Sequence, residues 1–453
     1  MTLAVAALLT ACASPSGYRM PEVAVPGQWQ QASAGQAPIT DRWWTGFGDP
    51  QLDQLVDEAL KRNSNLAAAA VRVRRAQLQA GLADSARLPS VSINLNASST
   101  RALDGGPTTR SNGVTAGVSW EADLWGRLAA QRNATEWEAQ ATEEDRLATA
   151  LSLVGTTANL YWQVAYLSQR IESSQQSIDY ARKTLELVIA QHQSGSVTGL
   201  EEAQARQTLA SQQASHTQLL QQRVEARNAL AILFDGPPSQ AVAEAQRLPQ
   251  SALPPVDAGL PAELLTRRPD LRAADLRLRK NLATVDATRT SYYPTLSLTG
   301  SVGTASKVLS DALSNPVATL GAGLLLPFVQ WRDMQRNVAV SQADYEQAVL
   351  GFRQTWYQAL SDVENALSAR TQYEVQGQQL QDALTAAQQA ERLSEIRYRA
   401  GAVPLKTWLD AQETRRSVDN SVAQNRLNRL SNLVTLYQAL GGGASPAVQR
   451  STS

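Results

Sequence analysis

The chain repeats itself once, end to end, at a shift of 205 to 206 residues. Arg62-Asn63-Ser64-Asn65-Leu66 is echoed by Arg267-Arg268-Pro269-Asp270-Leu271, and Leu88-Pro89-Ser90-Val91-Ser92-Ile93 by Tyr293-Pro294-Thr295-Leu296-Ser297-Leu298. Ser194-Gly195-Ser196-Val197 returns as Ala400-Gly401-Ala402-Val403, and Phe234-Asp235-Gly236 as Leu440-Gly441-Gly442. A near-constant offset over so long a span means one domain-sized unit used twice, so a fold read from one half must fit the other.

Each repeat carries the same parts in the same order. A helical stripe comes first: Leu52, Leu55, Val56, Ala59 and Leu60 mark a helix from Pro50 to Leu88, ended by Pro89. Its counterpart runs from Ala262 to about Tyr293 and ends at Pro294. Two strands follow. Val91, Ile93 and Leu95 alternate with polar residues, as do Val114, Ala116, Val118 and Trp120, with the turn Asp104-Gly105-Gly106-Pro107 between them. Leu296, Leu298, Gly300 and Val302, then Ala318, Leu320, Ala322, Leu324 and Leu326, form the second pair. Strict period two over about ten residues is the signature of a transmembrane barrel strand.

A very long helical hairpin completes the repeat. From Gly126 to Ser194 there is no Pro, and the one interior Gly is Gly155; this 69-residue span predicts a helix of about 100 Å. Leu147, Leu151, Val154, Ala158, Tyr161 and Ala165 step as a coiled-coil seam, and so do Val349, Phe352, Trp356, Ala359, Val363 and Ala366. Gly195 and Gly401 end the long helices; return helices run from Leu200 to Phe234 and from Leu405 to Leu440, stopping at Gly236 and Gly441. The return helix and the first helix together nearly match the long helix, which predicts end-to-end stacking beside it.

Four strands cannot close a barrel, and an open sheet in lipid strands backbone groups at both edges. Assembly must supply the rest: two chains give eight strands and a filled interior, three give twelve and a lumen. The fold class is therefore mainly α with a small β part, a duplicated unit of long coiled-coil hairpins plus two strands. An ordinary coiled coil is the alternative, and it leaves the strands unexplained.

Composition narrows the function. The 453 residues carry 41 acidic and 41 basic side chains, so no charge excess points to nucleic acid. No apolar run reaches the length of a membrane-spanning helix. The single cysteine, Cys12, follows Leu9-Thr10-Ala11 and an apolar segment from Leu3, a pattern that resembles the bacterial lipobox, although no Lys or Arg precedes it. That reading makes 1–11 a lipoprotein signal peptide and puts a covalent lipid on Cys12. Ala13 in the next position resembles lipoproteins sent to the outer membrane. One cysteine supports neither a disulfide framework nor a Cys-based metal site. His192 and His216 lie several turns apart in the predicted hairpin, and no phosphate loop, nucleophile elbow or paired acids occur. No enzyme, cofactor or metal is expected.

Trp43-Trp44-Thr45-Gly46-Phe47-Gly48-Asp49-Pro50-Gln51-Leu52 resembles the opening motif of outer-membrane efflux channel lipoproteins, the TolC-like outer membrane factors of RND tripartite efflux systems. Arg267-Arg268-Pro269-Asp270-Leu271 resembles the motif opening their second repeat, and Asp123-Leu124-Trp125-Gly126-Arg127 their strand-to-helix junction. Gln330-Trp331-Arg332 departs from the family, which has an acidic residue and two glycines there. The resemblance spans Cys12 to about Gly442. It implies a homotrimer: a 12-stranded β-barrel among outer-membrane lipids, continuous with a 12-helix α-barrel projecting into the periplasm. It also implies a periplasmic adaptor and an inner-membrane RND-type transporter as partners. On this reading 12–49 is an extended segment, 50–236 the first repeat, 237–261 a linker at the equatorial region, 262–442 the second repeat and 443–453 a tail. The Asp104-Gly105-Gly106 turn and the Ala305 to Val317 loop would face outside.

The resemblance also assigns sites. Asp410 occupies the position of an acidic ring at the periplasmic gate, and Thr407, one turn earlier, replaces a second acid. Tyr398 and Glu201 face each other as a latch between hairpins. Gly195, Ser196, Val197, Gly401, Ala402 and Val403 form the exposed tips that meet the adaptor. A solvated helix-start Asp, unrelated surface residues and plain turn chemistry are the bland readings of the same positions. The functions left open are a drug-efflux conduit, a conduit for protein or peptide secretion, and a lipid-anchored scaffold without a pore.

Overall fold

The computed structural model describes residues 16–31, 40–101, 103–239, 243–306 and 316–442. The expected signal peptide, Cys12, the 443–453 tail and most of the Ala305 to Val317 loop lie outside the described residues. Two compact units emerge, and each draws on both repeats. One takes Met1–Val23, Ala70–Asp145 and Asp270–Trp356; the other takes Ala24–Ala69, Arg146–Pro269 and Tyr357–Ser453.

The first unit holds the strands: β1 (Ser90–Thr100), β2 (Thr109–Ala122), β3 (Thr295–Ser306) and β4 (Pro316–Leu325), in one antiparallel sheet of order β1-β2-β3-β4. Register converts the alternation of the sequence into two faces. Val91 pairs Val118, Ile93 pairs Ala116 and Leu95 pairs Val114. Ala116 pairs Val302 and Trp120 pairs Leu298, and Leu298 then pairs Ala322. The apolar face thus runs unbroken across all four strands. Ser92, Gly117, Ser301 and Thr319 line up on the other face. The apolar face is open to solvent in the single chain: Ile93 is 68% and Leu320 91% exposed. Apolar strand residues this exposed require a non-aqueous neighbour.

The helices are α1 (Pro50–Arg62), α2 (Ser64–Ser85), α3 (Arg127–Gln193), α4 (Gly199–Ile232), the single turn α5 (Leu264–Arg267), α6 (Pro269–Thr290), α7 (Trp331–Arg399) and α8 (Leu405–Ala439). The predicted seams are buried: Val154, Ala158, Tyr161 and Ala165 in α3, and Phe352, Trp356, Ala359, Val363 and Ala366 in α7. Gly155 has a packing reason. A Cβ there would lie 2.2 Å from Nε2 of Gln438, which donates to the Leu151 carbonyl. Helix α1 is capped by Asp49, whose carboxylate accepts from the Gln51 and Leu52 amides, with Pro50 in the first turn. The preceding segment Trp43–Phe47 forms a short 3-10 turn. Its Trp43 stacks on Tyr437 at 4.7 Å and its Phe47 meets Trp162 edge-on.

Two expectations need correction, and the departure at Gln330-Trp331-Arg332 has a structural counterpart. The helix expected from Pro50 to Leu88 is two helices: Asn63 takes an extended conformation, ends α1 and begins α2. In the second repeat the same break falls at Arg268, before Pro269. The first return helix stops at Ile232, and the left-handed residue after it is Asp235 (φ 53°), not Gly236. The counterpart of Asp235 one repeat later, Gly441, has φ 88°. Finally, α7 begins at Trp331 after a short turn at Pro327–Val329, without a left-handed glycine such as Gly126 at the start of α3.

Candidate functional site at the hairpin turns

Both long helices end by the same local chemistry. Gly195 and Gly401 adopt φ 76° and 71°. The Ser196 amide reaches back to the Gln191 carbonyl and Gly195 to His192; Ala402 reaches Arg397 and Gly401 reaches Tyr398. These paired bonds satisfy the last carbonyls of α3 and α7, and they need a residue free of the Cβ penalty at the left-handed position. The return helices begin differently. Thr198 and Glu201 form a reciprocal capping box at the start of α4: the Glu201 carboxylate accepts from the Thr198 amide at 3.1 Å. At the start of α8 Pro404 stands in that place and offers no side-chain cap.

Behind the turns lies one apolar core of Val188, Ala205, Tyr398, Leu405, Trp408 and Leu409. Val197 and Val403 both pack on it, so the structure brings the two turns together. This corrects the expectation that the valines stand exposed; among the tip residues Gly195, Ser196, Gly401 and Ala402 are the exposed ones. Trp408 is the centre. Tyr398 stacks on it at 5.3 Å and Tyr180 meets it edge-on at 6.0 Å.

The polar residues divide between this core and the surface. The Tyr398 hydroxyl donates to Oε1 of Gln191 at 2.6 Å, not to Glu201. Glu201 is already committed to its capping box, and it reaches Tyr398 only through its field. Burial first, then that negative charge, pushes the tyrosine's pKa up. Glu201 itself is held below the usual carboxylate range by the Thr198 hydroxyl and by backbone hydrogen bonds. Tyr180 donates to Glu395 at 3.3 Å; burial and the charges of Glu395 and Glu391 push it up to about 12. Arg415 ties α8 to α7 through Glu391 at 2.8 Å. Asp410 and Thr407 are exposed on α8. Lys406, one turn before Asp410, donates to both its carboxylate oxygens at 2.9 Å.

Sequence reasoning missed Gln191, Trp408 and Lys406. The i,i+4 spacing of Lys406 and Asp410 was a visible signal; the roles of the other two depend on packing between helices. Among the described residues no group of three or more His, Cys, Asp or Glu is placed to hold a metal. His192 instead pairs with Glu202 at 2.8 Å. The arrangement is one of helix caps, a shared apolar core and surface ion pairs, suited to holding two hairpins together.

The sequence model of the family described as outer membrane efflux protein matches residues 55–234 and 260–442, the two repeats in turn. The pyoverdine export outer membrane protein OpmQ of Pseudomonas aeruginosa is 37% identical over 452 residues, covering 96% of this chain and 95% of that protein. Its namesake from Pseudomonas putida is 34% identical, with 96% and 95% covered. The solved open state of the Neisseria gonorrhoeae MtrE outer membrane channel is 29% identical and superposes with a TM-score of 0.85, covering 95% of this chain and 98% of that one. The chain belongs to the outer membrane efflux protein family and is one of its outer-membrane efflux channels.

Proposed function

We propose that three copies of this chain close a twelve-stranded barrel in the outer membrane and serve as the passive exit duct of a tripartite efflux pump. A periplasmic adaptor docks on the turns Gly195, Ser196, Val197 and Gly401, Ala402, Val403, and an RND-type transporter in the inner membrane supplies the energy. Asp410 and Thr407 ring the periplasmic mouth, and the Tyr398 and Glu201 region holds it shut. Cys12 carries a lipid that anchors the chain to the membrane. Small secreted molecules are the cargo, in keeping with the pyoverdine export named for the 37% identical relative.

One observation carries this reading. The sheet β1-β2-β3-β4 has an apolar face continuous across all strands, and its outer strands β1 and β4 have no partner on their far sides among the described residues. In lipid each unpaired backbone group costs several kcal/mol, so the edges must join those of other copies. Purified protein reconstituted in a planar bilayer should conduct, and a deletion strain should accumulate small-molecule toxicants. A protein that never conducts, in a strain with unchanged accumulation, would leave the scaffold reading instead. Lipid attachment is tested separately, by palmitate labelling of Cys12→Ser against wild type.

A further inference from the structure

The internal repeat relates strands of the sheet that do not touch in one chain. β1 and β3 correspond at a shift of 205, since Pro89 precedes Ser90 as Pro294 precedes Thr295. Ser90 pairs Ser119 and Thr295 pairs Leu325, so β2 and β4 correspond at a shift of 206. Val114, Ala116 and Val118 thereby match Leu320, Ala322 and Leu324, apolar for apolar. The two repeats join where β2 meets β3, with Ala116 opposite Val302 and Val118 opposite Gly300. β4 is the counterpart of β2 and β1 that of β3, so the same step repeated at the free edge of β4 places there the β1 of a second copy. Ala322 then falls opposite Ala97 of that copy, and Leu324 opposite its Leu95. The step keeps direction and face. β1 and β4 run oppositely in the four-stranded antiparallel order, and all four residues stand on the apolar face. A slip of one residue would put them on opposite faces.

The helices of the first unit obey the same relation. α6 lies on α3 through ion pairs: Arg272 to Glu144 at 2.6 Å, Lys280 to Glu138 at 3.2 Å, and Arg277 to Asp145 and, at 3.6 Å, to Glu138. α2 corresponds to α6 and α7 to α3, so α2 of the second copy meets α7. In the single chain the matching face of α2 is bare: Leu82 is 72% exposed, whereas its counterpart Ala287 is 7% exposed. Arg72 and Arg75, the counterparts of Arg277 and Lys280, are exposed and make no ion pair among the described residues. Glu346 on α7 is exposed and unpaired in the same way. It lies three residues after Ala343 and four before Leu350, the counterparts of Glu138 and Asp145, and so on the same face of the helix. Free arginines on one face and a free carboxylate on the other are complementary, and each is left over in the single chain.

We infer that the seam between copies repeats the β2–β3 and α3–α6 contact of the single chain, with Leu324 opposite Leu95 of the next copy and Glu346 meeting Arg72 of the next copy. The inference rests on the ring proposed above and adds the register in which it closes. Strand and helix fix that register together. A slip of two residues would keep the apolar faces aligned, but it would also slide α2 of the next copy along α7 and separate Arg72 from Glu346.

Cysteine pairs in the full-length protein, oxidised in membranes, read the register. Opposed residues have Cα atoms about 4.5–5.5 Å apart, within disulfide reach, while residues two further along lie about 7–8 Å off. Leu324→Cys with Leu95→Cys should give disulfide-linked dimers and trimers at least about fivefold above Leu324→Cys with Ile93→Cys or with Ala97→Cys. The single variants supply the background from Cys12. The highest yield from either neighbouring pair, or equal yields from all three, would overturn the register and leave the ring intact. The mass of the reduced protein in detergent reads the ring separately. A trimer that no pair can link would overturn the seam, and a monomer would sink the ring and the seam together. Charge exchange tests the helices and stands in for a cysteine pair that fails to assemble. Arg72→Glu should lower the trimer fraction on dilution about threefold, the scale of a partly exposed ion pair, and Arg72→Glu with Glu346→Arg should restore it. A double variant no better than the single one would overturn the contact between α2 and α7.

Discussion

The Asn63 side chain donates from Nδ2 to the Leu233 carbonyl at 2.9 Å, and its Oδ1 accepts from the Leu66 amide at 3.1 Å. One buried amide thus closes the C-terminus of α4 and opens the N-terminus of α2. The second repeat answers at the equivalent place, where Arg268 donates to the Ala439 carbonyl at the end of α8 at 3.2 Å. This is the joint between return helix and first helix that the matching lengths predict, made by an amide in one repeat and a guanidinium in the other.

Replacing Asn63 with Ala removes both bonds at a site only 5% exposed. Two helix-end groups are then left buried and unpaired, so unfolding in denaturant should shift by about 1–3 kcal/mol. Arg268→Ala should cost at least as much, because Arg268 also pairs with Asp362 at 3.2 Å. A variant with wild-type stability would mean that water replaces these contacts without loss.

The two left-handed positions after the return helices should respond unequally. At Gly441 a Cβ would lie 2.5 Å from the Arg267 carbonyl oxygen, so Gly441→Ala meets both strain and a backbone clash. A loss of about 1–3 kcal/mol is expected. At Asp235 the chain already tolerates a side chain, which accepts a hydrogen bond from the Ser64 hydroxyl. Asp235→Gly relieves backbone strain and loses that bond, so its net effect should stay within about 1 kcal/mol. Equal losses at both sites would contradict this asymmetry.

Much of the fold is legible because its signals are local. Gly195 and Gly401 mark helix ends since few other residues accept their backbone angles, and period two in β1 to β4 survives into the sheet register unchanged. What the sequence hides is decided between elements. Asn63 is neither Gly nor Pro, and its break depends on a carbonyl 170 residues away. Val197 and Val403 look like exposed tip residues until the core around Trp408 takes them in. Tyr398 and Glu201, expected to face each other as a latch, share no hydrogen bond, for a reason that was legible: Thr198 and Glu201 already have the spacing of a capping box that consumes the carboxylate. The Lys406–Asp410 pair was equally visible in the spacing.

Tyr180 gives the tip core an alkaline limit. Its pKa is raised from an ordinary value near 10 to about 12 by burial and by Glu395 and Glu391. The folded state therefore holds the phenol proton more tightly than the unfolded state. The stability from this group is fully present below pH 10 and is lost as pH rises through about 12. Thermal denaturation of the wild type should weaken across that window, with tyrosinate absorbance rising in step. Tyr180→Phe should show a flatter profile, and an unchanged slope would place the titrating group elsewhere.

Lys406 bears on what the proposed gate does to ions. Asp410 is exposed, yet both its oxygens are met by Lys406 at 2.9 Å, so a ring of three such pairs is zwitterionic and not purely acidic. A like-signed ring would bias the pore toward the opposite ion, by roughly 1 kcal/mol per unit charge at 4 Å in water. Lys406→Gln uncovers three carboxylates and should move the reversal potential toward cation selectivity. Asp410→Asn uncovers three ammonium groups and should move it toward anions. Both shifts should be a few-fold in permeability ratio at low salt and should fade near 1 M, where screening acts within about 3 Å. Identical reversal potentials for both variants at low salt would mean that the start of α8 lies off the conduction path, and Asp410 would then be no more than a solvated residue on the helix surface.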